Sequence, residues 1–180
     1  LEFRRVLFRS KQFWQIISPP AYLSWWDNWL DLFDAGRFYN QWYAQATLLL
    51  GQPGFFQPQI LNPHFLLDST PDKLSFYDTS LLRATLNELV DFKILNNGHT
   101  RLTLSAVRLN DGQQVLFDSK HQKITADHIM ASGALPPGFP AVKIGNDYYW
   151  DGGIVNNTPL EVVLNDMPRM STLCFMVQLF

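Results

Sequence analysis

Asp151-Gly152-Gly153 closes the aromatic run Tyr148-Tyr149-Trp150, and here residue types and spacing could do chemistry. An acid followed by two glycines is a carboxylate on a backbone free to turn sharply, because glycine enters φ > 0 without steric penalty. Such a bend can leave the acid's oxygens facing a cavity, as a general base requires. The same triplet also serves as an ordinary turn, so its neighbours must decide between the two readings. Asn157 comes shortly after, ahead of Pro159 and Leu160. It is expected to bond local backbone beyond the turn, with orientation of Asp151 as the alternative.

Other reactive side chains are scattered. His64, His99, His121 and His128 fall on different predicted elements, and none pairs with Cys or an acid at metal-ligand spacing. His121 reads as a loop residue and His128 as an exposed helix residue. Asp68, Asp72 and Asp78 sit at turn or cap positions. Cys174 lies in the apolar run Thr172-Leu-Cys-Phe-Met-Val-Gln-Leu-Phe180, where a small buried hydrophobe is expected. No metal and no organic cofactor is implied.

The elements that would hold the acid can be read from pattern. Asp78 and Thr79 precede a helix whose Leu81, Leu82, Leu86, Leu89 and Val90 share one face, ending near Asp91. Residues 101–109 alternate as a half-buried strand, Asn110-Asp111-Gly112 is a hairpin turn, and Gln114–Phe117 returns as its partner. Thr125 caps a short helix over 126–132 that Gly133 ends, and Ala134-Leu-Pro-Pro-Gly-Phe-Pro140 is a rigid loop. Strands at 142–144 and 148–150 flank a turn at Gly145-Asn146-Asp147. A helix over 160–165 and a buried strand over 172–179 complete the pattern.

Upstream, residues 11–63 are dense in Trp, Tyr, Phe and Pro, including Trp14, Trp25, Trp26, Trp29 and Trp42. Phe38–Leu50 has helical length, stopped by Gly51 and Pro53. The cluster is either a helical subdomain burying its aromatics or an amphipathic surface that meets lipid, since Trp joins an apolar body to a polar tip. Carbohydrate stacking is a third reading.

The stretch Ala131-Ser-Gly-Ala-Leu-Pro-Pro-Gly-Phe-Pro140, the two-strand ribbon, Tyr149-Trp-Asp-Gly-Gly153 and Asn157-x-Pro159 strongly resembles the second half of a patatin-like phospholipase domain. Ser75-Phe-Tyr-Asp-Thr-Ser80, the hairpin and Thr172–Phe180 look like one bacterial branch with an uncharacterised extension after the hydrolase core. The likeness spans residues 12–180 and is strongest at 124–160. It implies an α/β, three-layer sandwich with a mixed, mainly parallel central sheet, here truncated at both ends. It also implies a Ser–Asp dyad acyl hydrolase: a Ser on a Gly-x-Ser-x-Gly elbow, a glycine-rich oxyanion loop, and the Asp of Asp-Gly-Gly as base. The carry-over is Asp151, with Gly152 and Gly153 shaping its turn.

The chain departs from that pattern in two respects. None of Ser10, Ser18, Ser24, Ser69, Ser75, Ser80, Ser105, Ser119, Ser132 and Ser171 lies in a Gly-x-Ser-x-Gly, and the ten glycines form no oxyanion loop. Ser132, in Ala131-Ser132-Gly133, is a small residue packing a helix end before it is a substitute nucleophile. Leu1–Ser10 reads as a linker or assembly scar, which leaves 11–180 as the C-terminal part of the domain: a Trp/Pro-rich helical insertion at 11–63 and an α/β core at 64–180. The missing parts are expected upstream of residue 11, and unpaired strand edges would make the chain prone to aggregate.

Composition sets the outer limits. The chain has 180 residues, 47% apolar and 17% charged, with a net charge of −2. One domain with an adequate core follows, and no basic field suggests nucleic acid. The expectation is a cytoplasmic protein acting on an acyl lipid, with peripheral membrane contact as a further partner. The alternative is a non-catalytic membrane-surface or protein-binding module.

Overall fold

The computed structural model describes residues 2–17, 35–59, 70–169 and 171–177, with side chains described outside 2–8 and 35–40. Two long helices come first, α1 (Glu2–Ile17) and α2 (Ala35–Leu50). Residues 2–10 are thus helical and continuous with residues 11–17. Arg9 of α1 donates to the Leu89 carbonyl at 3.0 Å, and the Gln52 amide donates to the Ile17 carbonyl. Trp14 and Trp42 are exposed, so these two do not form a buried aromatic core. Trp25, Trp26, Trp29, His64 and Asp68 lie outside the described residues.

A two-strand ribbon pairs β1 (Gln57–Pro58) with β2 (Tyr77–Asp78), and α3 (Ser80–Leu89) comes next. Asp78 provides the cap, accepting from the Ser80 amide at 2.9 Å and the Ser80 hydroxyl at 2.7 Å. The helix is shorter than the periodicity suggests, because Val90 is extended and Asp91 caps a separate helix, α4 (Phe92–Asn97). Asn96 of α4 donates to the Ile124 carbonyl at 2.9 Å and accepts from the Ile124 amide at 2.6 Å.

The main sheet has the order β4-β3-β6-β5, from β3 (Thr103–Arg108), β4 (Gln114–Asp118), β5 (Val142–Ile144) and β6 (Asp147–Asp151). The hairpin turn is as expected, with Gly112 at φ 67° and the Asp111 carboxylate paired to Arg108 at 2.6 Å. All pairings among the described residues are antiparallel, and the mainly parallel sheet that the resemblance implies is not among them. Helix α5 (Ala126–Ala131) covers one sheet face, where Ala106, Phe117, Val142 and Tyr149 meet Ala126, Met130 and Ala131. These buried side chains alternate with outward ones such as the exposed Leu116, as period-two strands require.

The chain ends differently from expectation. Helix α6 (Glu161–Leu164) forms, but residues 171–177 form no strand. Leu173, Phe175 and Val177 are exposed, and so is Cys174, which is not a core residue. Without a neighbouring strand, a β-type apolar run has no ladder to bury it. No described helix is long and apolar enough to cross a membrane.

Candidate active site

Asp151 is the last residue of β6, and two contacts fix its backbone while a third holds its strand two residues earlier. Its strand pairs with β3 in the register Ala106↔Asp151, Val107↔Trp150 and Arg108↔Tyr149. On the other side β5 pairs Val142 with Tyr149. The Asp151 amide leaves the ladder and donates to the Ala134 carbonyl at 3.1 Å. Ala134 lies just beyond α5, so the helix that covers the sheet also pins the acid.

The next residues form a 3-10 turn, Gly152–Ile154, capped by the Asp151 side chain, whose Oδ1 accepts from the Gly153 amide at 2.8 Å. Among the described residues no cation pairs with Asp151. Oδ2 accepts no hydrogen bond from the described residues. The acid is half-buried, which limits competition from water without removing access.

The two glycines work differently from the expectation of a left-handed bend. Positive φ occurs at Gly51, Gly54, Gly112 and Gly145, not at Gly152 or Gly153. Gly152 is required by close approach: a Cβ there would lie 2.2 Å from Ser105 Oγ and 2.6 Å from the Ser105 carbonyl carbon. Ser105 is itself held, accepting a 2.7 Å hydrogen bond from the Gln114 amide group. At Gly153 the nearest atoms to a Cβ are Asn157 Oδ1 and Asp151 Oδ1, both at 3.2 Å.

Asn157 does not make the local backbone bond expected of it. Asn156 does, accepting from the Thr158 amide at 3.2 Å while donating to Glu161 at 2.7 Å. Asn157 is exposed, with its oxygen on the Gly153 side of the turn near the acid. Adjacent Asn residues cannot be told apart from sequence, and the turn geometry assigns them.

Ser132 ends α5, its amide donating to the His128 carbonyl at 3.2 Å, and no hydrogen bond joins it to Asp151. His128 is buried, not exposed. Its Nδ1 accepts from the Thr125 amide at 3.1 Å, and its ring meets Phe117 edge-on at 4.6 Å. Burial pushes its pKa below the ordinary histidine value, against a smaller opposing effect of Asp127. Asp127 in turn pairs with Arg83 of α3 at 2.9 Å.

The proline loop joins this site to the ribbon. The Pro137 and Gly138 carbonyls accept from the Phe76 and Tyr77 amides at 3.1 and 3.0 Å. Phe139 packs on Phe56 and Tyr77, with ring centroids 5.5 and 6.1 Å away. Downstream, Arg101 holds Asp118 through two nitrogens and Asp166 at 2.7 Å. That guanidinium lowers the Asp118 pKa to about 2. Among the described residues no three His, Cys, Asp or Glu side chains gather in a metal-binding group.

Asp151 is thus a strand-end acid on a glycine turn, with its amide bonded to the carbonyl of Ala134 just beyond α5. A family model described as Patatin-like phospholipase matches residues 10–164, and the chain belongs to this family of lipid acyl hydrolases. No curated protein and no solved structure gives a match.

Proposed function

We propose that this chain supplies the general base, Asp151, of a serine-dependent lipid acyl hydrolase whose nucleophile is carried by a segment not contained in these 180 residues. The observation that carries the reading is the second oxygen of Asp151, without a partner among the described residues, at the end of β6 in a chain that belongs to the patatin-like phospholipases. In the proposed step Oδ2 takes the serine proton as the serine oxygen attacks the ester carbonyl carbon. The tetrahedral intermediate collapses, the alcohol leaves with that proton, and the acyl group remains on serine. Water then attacks the acyl-enzyme with Asp151 again as base, releasing the acid and restoring serine. A carboxylate is a weak base in water and becomes effective when held against the hydroxyl in a cleft.

By this reading the 180-residue chain alone hydrolyses p-nitrophenyl butyrate no faster than buffer, because both nucleophile and oxyanion donors are absent from it. Each such donor is worth about 3–4 kcal/mol where measured. Turnover by the chain that Asp151→Ala abolished would overturn this assignment. In a polypeptide joining this segment to a Gly-x-Ser-x-Gly element, Asp151→Asn lowers kcat/KM by about 10²–10⁴. Retention of activity within a few-fold would remove Asp151 from the mechanism.

A peripheral contact with lipid is favoured by one observation: Trp42, Leu49 and Leu50 of α2 are exposed by 65, 75 and 80%. Such a surface suits the membrane–water interface. Liposome co-sedimentation that drops with Trp42→Ser and Leu49→Ser, and is unaffected by Asp151→Asn, is the expected outcome.

A further inference from the structure

Helix α5 carries a histidine where its cap ordinarily takes a glutamine or glutamate. Thr125 is the N-cap, and the third helical residue is the one from which Glu or Gln reaches back to the cap amide. Here that residue is His128, whose Nδ1 lies 3.1 Å from the Thr125 amide and 2.8 Å from Thr125 Oγ1. An amide N–H only donates, so Nδ1 accepts and the ring's proton sits on Nε2. Protonation of Nδ1 sets two donors face to face. The Thr125 hydroxyl can turn and accept, but the amide cannot, and the cap loses that bond.

The other end of the same helix holds the acid. With six residues, α5 is too short to persist without its caps and its packing. The His128 carbonyl accepts from the Ser132 amide at 3.2 Å, and the Ala131 carbonyl accepts from the Ala134 amide at 3.4 Å. The Ala134 carbonyl in turn accepts from the Asp151 amide at 3.1 Å. A second connection crosses the sheet: the His128 ring meets Phe117 of β4 edge-on at 4.6 Å, and Phe117 meets Tyr149 of β6 at 5.2 Å. Tyr149 precedes Asp151 by two residues and shares its face of the strand. Asp127, beside His128 in α5, favours the charged ring and is itself paired with Arg83 of α3 at 2.9 Å. On the β4 side Asp118 is held by Arg101, and Lys120, His121 and Lys123 of the loop before α5 are exposed.

We propose that His128 is a positioning residue for Asp151: its neutral ring closes the α5 cap and so keeps the Ala134 carbonyl on the Asp151 amide, and its protonation loosens that hold. That the acid so placed is a base rests on the function proposed above; the coupling between the two ends of α5 does not. Burial favours the neutral ring, so the hold is complete above about pH 6.5 and weakens as pH falls below it.

The test is amide hydrogen exchange of the 180-residue chain between about pH 5 and 7.5, each rate referred to that of an unprotected amide at the same pH. Protection of the Asp151 and Ser132 amides is level above about pH 6.5 and falls at least about fivefold by pH 5, about 30-fold being the limit for one histidine. The amides of the β3–β4 ladder stay within about twofold. His128→Gln supplies an acceptor that does not titrate, so Asp151 protection stays high and loses its pH dependence. His128→Leu supplies none, and protection is low throughout. Asp127→Asn moves the fall to lower pH, because it removes the neighbour that favours the charged ring. In the joined hydrolase the acid limb of kcat/KM becomes shallower in His128→Gln, through kcat rather than KM. Flat Asp151 protection in the native chain, native pH dependence in His128→Gln, or a parallel fall in the hairpin amides would overturn the assignment. The expected exchange pattern, alongside a joined hydrolase that tolerates Asp151→Asn, would keep the hold and reject the base.

Discussion

Replacing Gly152 by alanine is the sharpest probe of how the acid is held. The new Cβ would sit 2.2 Å from Ser105 Oγ, 2.6 Å from Ser105 Cβ and 2.6 Å from the Ser105 carbonyl carbon. The hydroxyl could rotate away, but the other two atoms belong to β3 and cannot. Relief to ordinary contact requires a separation of about 1 Å between β3 and the turn, next to the Ala106↔Asp151 pair. Overpacking of this kind costs about 1–3 kcal/mol. In a chain of this length, at about 2–4 °C per kcal/mol, the melting midpoint falls by about 2–12 °C. Gly153→Ala is the control: the nearest atoms to its Cβ are two side-chain oxygens at 3.2 Å. It should change stability by less than about 0.5 kcal/mol. Ser105→Gly in the Gly152→Ala background removes Oγ and Cβ but leaves the carbonyl carbon, so it restores part of the loss. Thermal melts give the energies, and hydrogen exchange at the Asp151 amide reports whether the bond to Ala134 has loosened. A neutral Gly152→Ala, an equally damaging Gly153→Ala, or full rescue by Ser105→Gly would refute the close-approach account.

Three further outcomes are expected from the packing. Arg101 lowers the Asp118 pKa from 3.8 to about 2, so this carboxylate stabilises the fold above about pH 4 and loses its contribution as pH falls through about 2. That depression corresponds to about 2 kcal/mol, and urea unfolding between pH 2 and 5 should show a slope that Asp118→Asn flattens. His128 has a lowered pKa through burial, so its contribution is complete above about pH 6.5 and declines as pH falls below it. His128→Gln keeps an acceptor for the Thr125 amide and should reduce the pH dependence of the melting midpoint between pH 5 and 7. Asn96→Leu removes both bonds to the Ile124 backbone and leaves the buried Ile124 amide unpaired. The expected loss is about 2–4 kcal/mol in urea titration.

Local signals made much of the main sheet legible. Asn110-Asp111-Gly112 marks its own hairpin because Gly112 needs a left-handed backbone, and Thr125 with Gly133 brackets α5. The acid at Asp151 was legible as a strand-end turn, while its family meaning came from the surrounding motif. What sequence could not show was tertiary. The reason for Gly152 is Ser105, on a strand far upstream, and no local rule connects them. His128 has a helix-surface position, yet Phe117 of β4 covers it. The apolar run at 171–177 has strand propensity, but propensity forms no ladder without a partner. Ala134 contributes through its carbonyl, which carries no sequence identity; only the small-residue context of Ala131-Ser-Gly-Ala134 hinted at a close approach.

The strand order carries a consequence for the time course of folding. β3 and β4 are joined by a tight turn and can zip together within microseconds of collapse. β6 must instead find β3 across the whole of α5 and the proline loop, a long closure whose entropy is lost before any contact rewards it. The acid therefore acquires its geometry only after the hairpin exists as a template. Until β6 docks, Asp151 is an ordinary carboxylate on a mobile chain, and the proposed base takes its place only when β6 joins β3.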